Sequence, residues 1–98
     1  MHAISNRLTE ALISFLDYED RAKLAAAAKY AKKQIMFILD GGRDDDAQLI
    51  RAASFLEGAR GQLKNPGRTH ESFISATKSI GRAVTIMRES NQIGRAHV

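Results

Sequence analysis

Leu24, Ala28, Ala31, Ile35 and Ile38 follow one another at steps of four, three, four and three residues. Phe73, Thr77, Ile80, Val84 and Met87 repeat those steps near the other end of the chain. Side chains so spaced lie on one stripe of an α-helix, whereas the period of a strand is two. Almost no strand-like alternation occurs elsewhere. A chain of 98 residues carrying two such stripes reads as a single all-α domain over residues 1–98. The turn signals divide it into a compact antiparallel four-helix bundle, with helices over roughly 5–16, 18–39, 44–63 and 69–91, since short connections favour antiparallel neighbours.

The first helix is expected to start at a cap on Ser5 or Asn6 and to turn Ile4, Leu8, Ala11, Leu12, Phe15 and Leu16 inward. For the second, Asp17 reads as the N-cap, with Glu19 and Asp20 in the first turn against the positive end of the helix dipole. Leu24-Ala25-Ala26-Ala27-Ala28 has high helix propensity, and its alanines allow a neighbouring helix to approach closely. Ile35-Met36-Phe37-Ile38-Leu39 is apolar all round, which demands a central position in the bundle or an interface. Gly41 and Gly42 stop this helix.

One of Asp44, Asp45 and Asp46 then caps the third helix, with Leu49, Ile50, Ala53, Leu56, Ala59 and Leu63 on its buried face. Gly58 and Gly61 weaken its last turns. Asn65-Pro66-Gly67 is a turn. Thr69 caps the fourth helix, where Gly81 suggests a tight helix crossing, and Gln92 to Val98 is expected to fray. Two tetrapeptides, Ser14-Phe15-Leu16-Asp17 and Ser54-Phe55-Leu56-Glu57, look alike, but four positions are too few to establish a duplicated hairpin.

The chain has no cysteine, so it has neither disulfides nor thiolate chemistry, which leans toward a reducing cytoplasm. Unbroken apolar runs such as Ile35 to Leu39 fall far short of the roughly 20 residues of a membrane span. Met1 to Arg7 has no basic segment leading into a long apolar run, so no signal peptide is read there. We therefore expect a soluble, cytoplasmic protein without a membrane partner. The net charge of +4 is laid out in blocks: −1 over 1–17, +3 over 18–39, −3 over 40–57 and +5 over 58–98. Such blocks give a molecule electrostatic faces.

No constellation carries catalysis. His2, His70 and His97 are scattered, whereas zinc needs three or four ligands brought together. Asp40 to Asp46 is rich in carboxylates, but counting from Asp40 puts Gly42 third and Arg51 twelfth, where a calcium loop needs oxygen ligands. Gly58-Ala59-Arg60-Gly61 lacks the Lys-Ser/Thr of a phosphate loop. Glu10, Glu57, Glu71 and Glu89 fall outside the apolar stripes and read as solvated. We expect no metal, no cofactor and no enzyme. The segment from the second helix through Asp40-Gly41 to Leu49-Ile50-Arg51-Ala52 is loosely similar to the flagellin export chaperones, on features too general to assign a family.

The other side of the second helix is more informative. Tyr30 and Phe37 stand seven apart among Lys29, Lys32 and Lys33, with Met36 beside them. Tyr30, Met36, Phe37, Ile13 and Ile86 all fall off the main stripes. A small bundle with surplus apolar residues commonly hides them by self-association, most often as a twofold dimer. The reading is a small non-enzymatic interaction protein that binds protein partners and forms a homodimer, with Tyr30, Met36 and Phe37 as the contact residues. The alternative is a basic nucleic-acid accessory protein gripping phosphates through Lys29, Lys32, Lys33, Arg60, Lys64 and Arg68.

Overall fold

The computed structural model describes residues 4–42, 46–65 and 70–96. They form four helices, α1 (Asn6–Asp17), α2 (Arg21–Asp40), α3 (Ala47–Lys64) and α4 (His70–Ala96). No strand occurs among the described residues.

Three helices open on a side-chain cap. Ser5 Oγ accepts from the Leu8 N–H, Asp20 from the Lys23 N–H, and Asp46 from the N–H groups of Gln48 and Leu49. Each satisfies amides that have no partner within the helix. Asp46 is therefore the acid that caps α3; Asp44 and Asp45 lie outside the described residues, as do Pro66, Gly67 and Thr69.

The α1–α2 junction differs from the expectation that Asp17 caps α2. Asp17 is the last residue of α1, and the cap is Asp20. The Asp20 N–H donates to the Phe15 carbonyl at 3.0 Å and the Glu19 N–H to the Leu16 carbonyl at 3.1 Å. This pair of bonds closes a helix C-terminus when the residue between is left-handed. Glu19 takes that conformation, with φ of 53°. Asp20 thus ends one helix with its backbone and starts the next with its side chain. At the far end of α2, Gly42 has φ of 125°, a conformation that suits glycine.

Long-range hydrogen bonds fix the topology. The Ser5 N–H donates to Gln34 Oε1, Lys32 Nζ to Glu57 Oε2 and Gln62 Nε2 to Ser75 Oγ, each at 2.9 Å. Each bond joins residues at matching distances from the intervening turn, so consecutive helices are antiparallel. The helices neighbour one another in a ring, α1–α2–α3–α4 and back to α1, and the α3–α4 interface is the most extensive. The bundle measures 44 × 22 × 17 Å. Its long axis is close to the span of α4, whose 27 residues extend about 40 Å at the rise of an α-helix.

Both sequence stripes face inward. Leu24, Ala28, Ala31, Ile35 and Ile38 are buried, as are Phe73, Ile80, Val84 and Met87. Thr77 is partly buried and donates its hydroxyl back to the Phe73 carbonyl. Fully buried alanines sit between the large side chains: Ala28 and Ala31 on α2, Ala52 and Ala59 on α3, Ala76 and Ala83 on α4. A methyl group at these points lets helix axes approach to the short end of the usual 8–10 Å range.

Four expectations need correction. Ile50 is 48% exposed and does not join Leu49 in the core, because one residue rotates the helix by about 100°. Gly81 makes no tight crossing, since a Cβ built there meets nothing within 4 Å. Ile13 and Ile86 are not surplus, for both pack half-buried against the core. Finally, α4 continues past Asn91 to Ala96.

Two consequences can be measured by urea unfolding. Ala83→Leu keeps helix propensity nearly constant but forces extra methylenes into a filled seam, and should lower stability by about 1–3 kcal/mol; the same change at exposed Ala47 should shift it by no more than about 0.5 kcal/mol. Backbone substitutions of opposite kind should both stabilise. Gly81→Ala should add about 1 kcal/mol by restoring helix propensity. Glu19→Gly should add up to about 1 kcal/mol by removing left-handed strain, net of the entropy glycine brings to the unfolded chain.

Candidate functional site

The inner stripe of α2 leaves the opposite side of the helix facing outward. Tyr30, Met36 and Phe37 keep 62%, 43% and 63% of their surface exposed. Ile35, Ile38 and Leu39 are buried, so the all-apolar end of α2 is covered on its inner side only. Lys29 and Lys33 are exposed on the same outer side, and Lys32 is half-buried toward α3.

The α2–α3 pairing gathers residues that lie far apart in the chain. An open groove of about 570 Å³ runs between the two helices. From α2 it is lined by Arg21, Lys29 and Tyr30, over a floor of Ala22, Ala25 and Ala26. Arg60, Leu63 and Lys64 of α3 form the other wall. Arg21 and Lys29 are two turns apart on one helix, and Arg60 and Lys64 one turn apart on the other. Among the described residues, four cations and no carboxylate therefore line the groove. Arg21 also stacks its guanidinium over the Phe73 ring at 4.9 Å, which ties this end of α2 to α4.

Of the six cations considered for nucleic acid, Lys29, Arg60 and Lys64 meet in this groove. Lys33 is exposed outside its lining, and Arg68 lies outside the described residues. Lys32 is engaged otherwise: its ammonium is 2.9 Å from Glu57 Oε2. Arg21 joins the groove although its place in the sequence gave no reason to group it with Arg60. Only the antiparallel register, marked by Lys32 against Glu57, brings the first turn of α2 beside the last turns of α3.

Arg60 is held differently from the two lysines. Its Nη1 lies 3.8 Å from Glu57 Oε2, the oxygen already hydrogen-bonded by Lys32. Its Nε is buried and has no acceptor among the described residues. Buried donors of this kind are normally paired. Lys29 and Lys64 form no ion pair among the described residues.

Among the described residues, no three His, Cys, Asp or Glu side chains are grouped to hold a metal ion. No helix there is long and apolar enough to cross a membrane. Comparison with family models, curated proteins and solved structures finds no match.

The Lys32–Glu57 pair separates the basic groove from the apolar end of α2. The Lys32 hydrogen bond, then the charge of Lys32, hold the Glu57 carboxyl below the usual carboxylate range; slight burial opposes this and Arg60 adds to it. A carboxylate with a depressed folded-state pKa stabilises the fold above its ordinary range and loses that contribution as pH falls through the folded value. Glu57→Gln should therefore melt slightly below the parent chain near neutral pH, and the two curves should converge in strong acid. Added salt should narrow the gap, since both partners are solvent-accessible. Melting curves across a pH series test this; a gap unchanged at about pH 2 would show that the pair is not its source.

Proposed function

We propose that this protein is a small non-enzymatic interaction protein that acts by binding other proteins and forms a homodimer through the outer side of α2. The reading rests chiefly on the exposure of Tyr30, Met36 and Phe37 on a single helix of a bundle whose core is otherwise filled. Clustered apolar side chains of this size at a surface mark an interface far more often than scattered ones do. Exposed Ile50 supports the same end of the bundle. It lies two turns from Glu57 toward the start of α3, where Met36 lies one turn from Lys32 toward the end of α2.

A twofold interface suits a helix face of this kind, because each residue is used twice. Aromatic and methionine side chains are the types enriched at such contacts. The absence of cysteine suits action in a reducing cytoplasm.

Size-exclusion chromatography with light scattering tests the dimer. The expected mass at tens of micromolar is twice the 10.8 kDa of one chain. Phe37→Glu should return the single-chain mass with unchanged helicity, since Phe37 is mostly exposed in the single chain, and should melt somewhat below the parent because the stabilisation by association is lost. Burying a phenylalanine contributes about 1.5–3 kcal/mol, and a twofold contact loses it twice, so dimer affinity should fall by at least about 100-fold. A single-chain mass for the parent protein at about 100 μM, where even a weak dimer would be populated, refutes self-association.

A further inference from the structure

We propose that the α2–α3 groove is a docking site for an acidic amphipathic helix of a partner protein. This deepens the protein-binding reading above and does not depend on the homodimer. Its chemistry argues for an occupant that is apolar on one side and anionic at the edges. The floor is alanine at 22, 25 and 26, a flat surface that lets another helix backbone come close. The walls carry Lys29 from one helix and Arg60 and Lys64 from the other.

The spacing of the cations fits a helical occupant. Arg60 and Lys64 are one turn apart, about 6 Å along their helix. Carboxylates four residues apart on a partner helix have the same separation. The Arg60 side chain lines the groove and stays 27% exposed, so its guanidinium can meet one of them. A carboxylate there would make a charge-assisted hydrogen bond, stronger than a neutral one. Strand addition is not an option, because the described chain offers no sheet edge.

Nucleic acid fits less well. Single strands are held by successive bases stacked on aromatic rings over a basic track. Among the described residues, Tyr30 is the only aromatic residue lining the groove, and sugar and phosphate would gain little from its alanines. Of the remaining basic residues of α2, Lys32 is committed to Glu57.

The test uses a capped synthetic peptide of about 15 residues, long enough to be partly helical. Leucines at steps of three and four form one face, flanked by glutamates four apart. A second peptide carries glutamine in place of each glutamate. A single-stranded oligothymidylate and a short DNA duplex are the nucleic-acid probes. Binding to the full chain is followed by fluorescence anisotropy at about 50 mM and 200 mM salt, a range over which charge-dependent binding weakens strongly.

The expected result is saturable binding of the acidic peptide, at least about 10-fold weaker for the glutamine peptide. Lys29→Glu and Lys64→Glu should each weaken the acidic peptide by a similar factor without changing the melting temperature, as both side chains are exposed. Lys78→Glu, on α4 and outside the groove, should leave binding unchanged. Three results overturn the proposal. One is no binding at about 1 mM peptide, the weak end of the measurable range. Another is equal binding of both peptides, or indifference to Lys29→Glu and Lys64→Glu. The third is tighter binding of either nucleic-acid probe through the same lysines. Repeating the titration on Phe37→Glu keeps the two readings apart: a monomer that still binds the acidic peptide retains the groove and loses only the dimer.

Discussion

The bundle depends on alanine where its helices cross. Ala28 and Ala31 on α2, Ala52 and Ala59 on α3, and Ala76 and Ala83 on α4 have no exposed surface. Each takes the place of a larger side chain that would hold two helices apart, so the large residues beside it can interdigitate. Leu24, Ile35, Leu49, Leu56, Leu63, Ile80 and Met87 fill the space that remains. The result is a slender body, 22 by 17 Å in cross-section. A slender bundle has a large surface for its volume, so part of its apolar content must face outward. On α2 that content is concentrated rather than scattered.

The same physics explains which parts of the fold could be read from the chain. A core stripe is a periodic signal repeated over four or five turns, and single departures such as Thr77 do not erase it. Helix junctions lack that redundancy. Asp17 and Asp20 are chemically identical candidates for the cap, and a single three-residue connection decides between them. The usual clue would be a glycine in the left-handed position, but Glu19 occupies it, at a cost in strain that Asp20 offsets through its two roles. The apolar pattern puts Ile50 on the buried face with Leu49, Ala53, Leu56, Ala59 and Leu63, yet it sits at the edge of that stripe and turns outward. Gln92 to Val98 is expected to fray, yet α4 runs through Gly94 to Ala96, because a lone glycine weakens a helix without stopping it.

The outer surface was legible in its ingredients and not in its assembly. Tyr30, Met36 and Phe37 share one helix, so their common exposure follows from the angle each makes with the core stripe. The basic residues come from two helices. Their grouping depends on the α2–α3 register, which one ion pair marks and which no local pattern encodes. That register admits Arg21, which no sequence pattern singles out. It sends Lys32 to Glu57, while Lys33 stays exposed outside the groove lining. Charge blocks along the chain hinted at basic and acidic faces, but a block sums residues that a helix turns in different directions.

One helix therefore presents two chemistries on a single side. Near its start, small side chains and cations surround a groove; near its end, Met36 and Phe37 offer apolar area. The Lys32–Glu57 pair stands between them. The two ends respond to different variables, because cation–carboxylate contacts weaken with salt while apolar burial does not. Tyr30 belongs to both, lining the groove while remaining 62% exposed beside the apolar end. Under the readings proposed above, an occupant of the groove and a second copy on α2 would both contact that ring. If either contact changes the affinity for the other, linkage requires the effect to be equal in both directions.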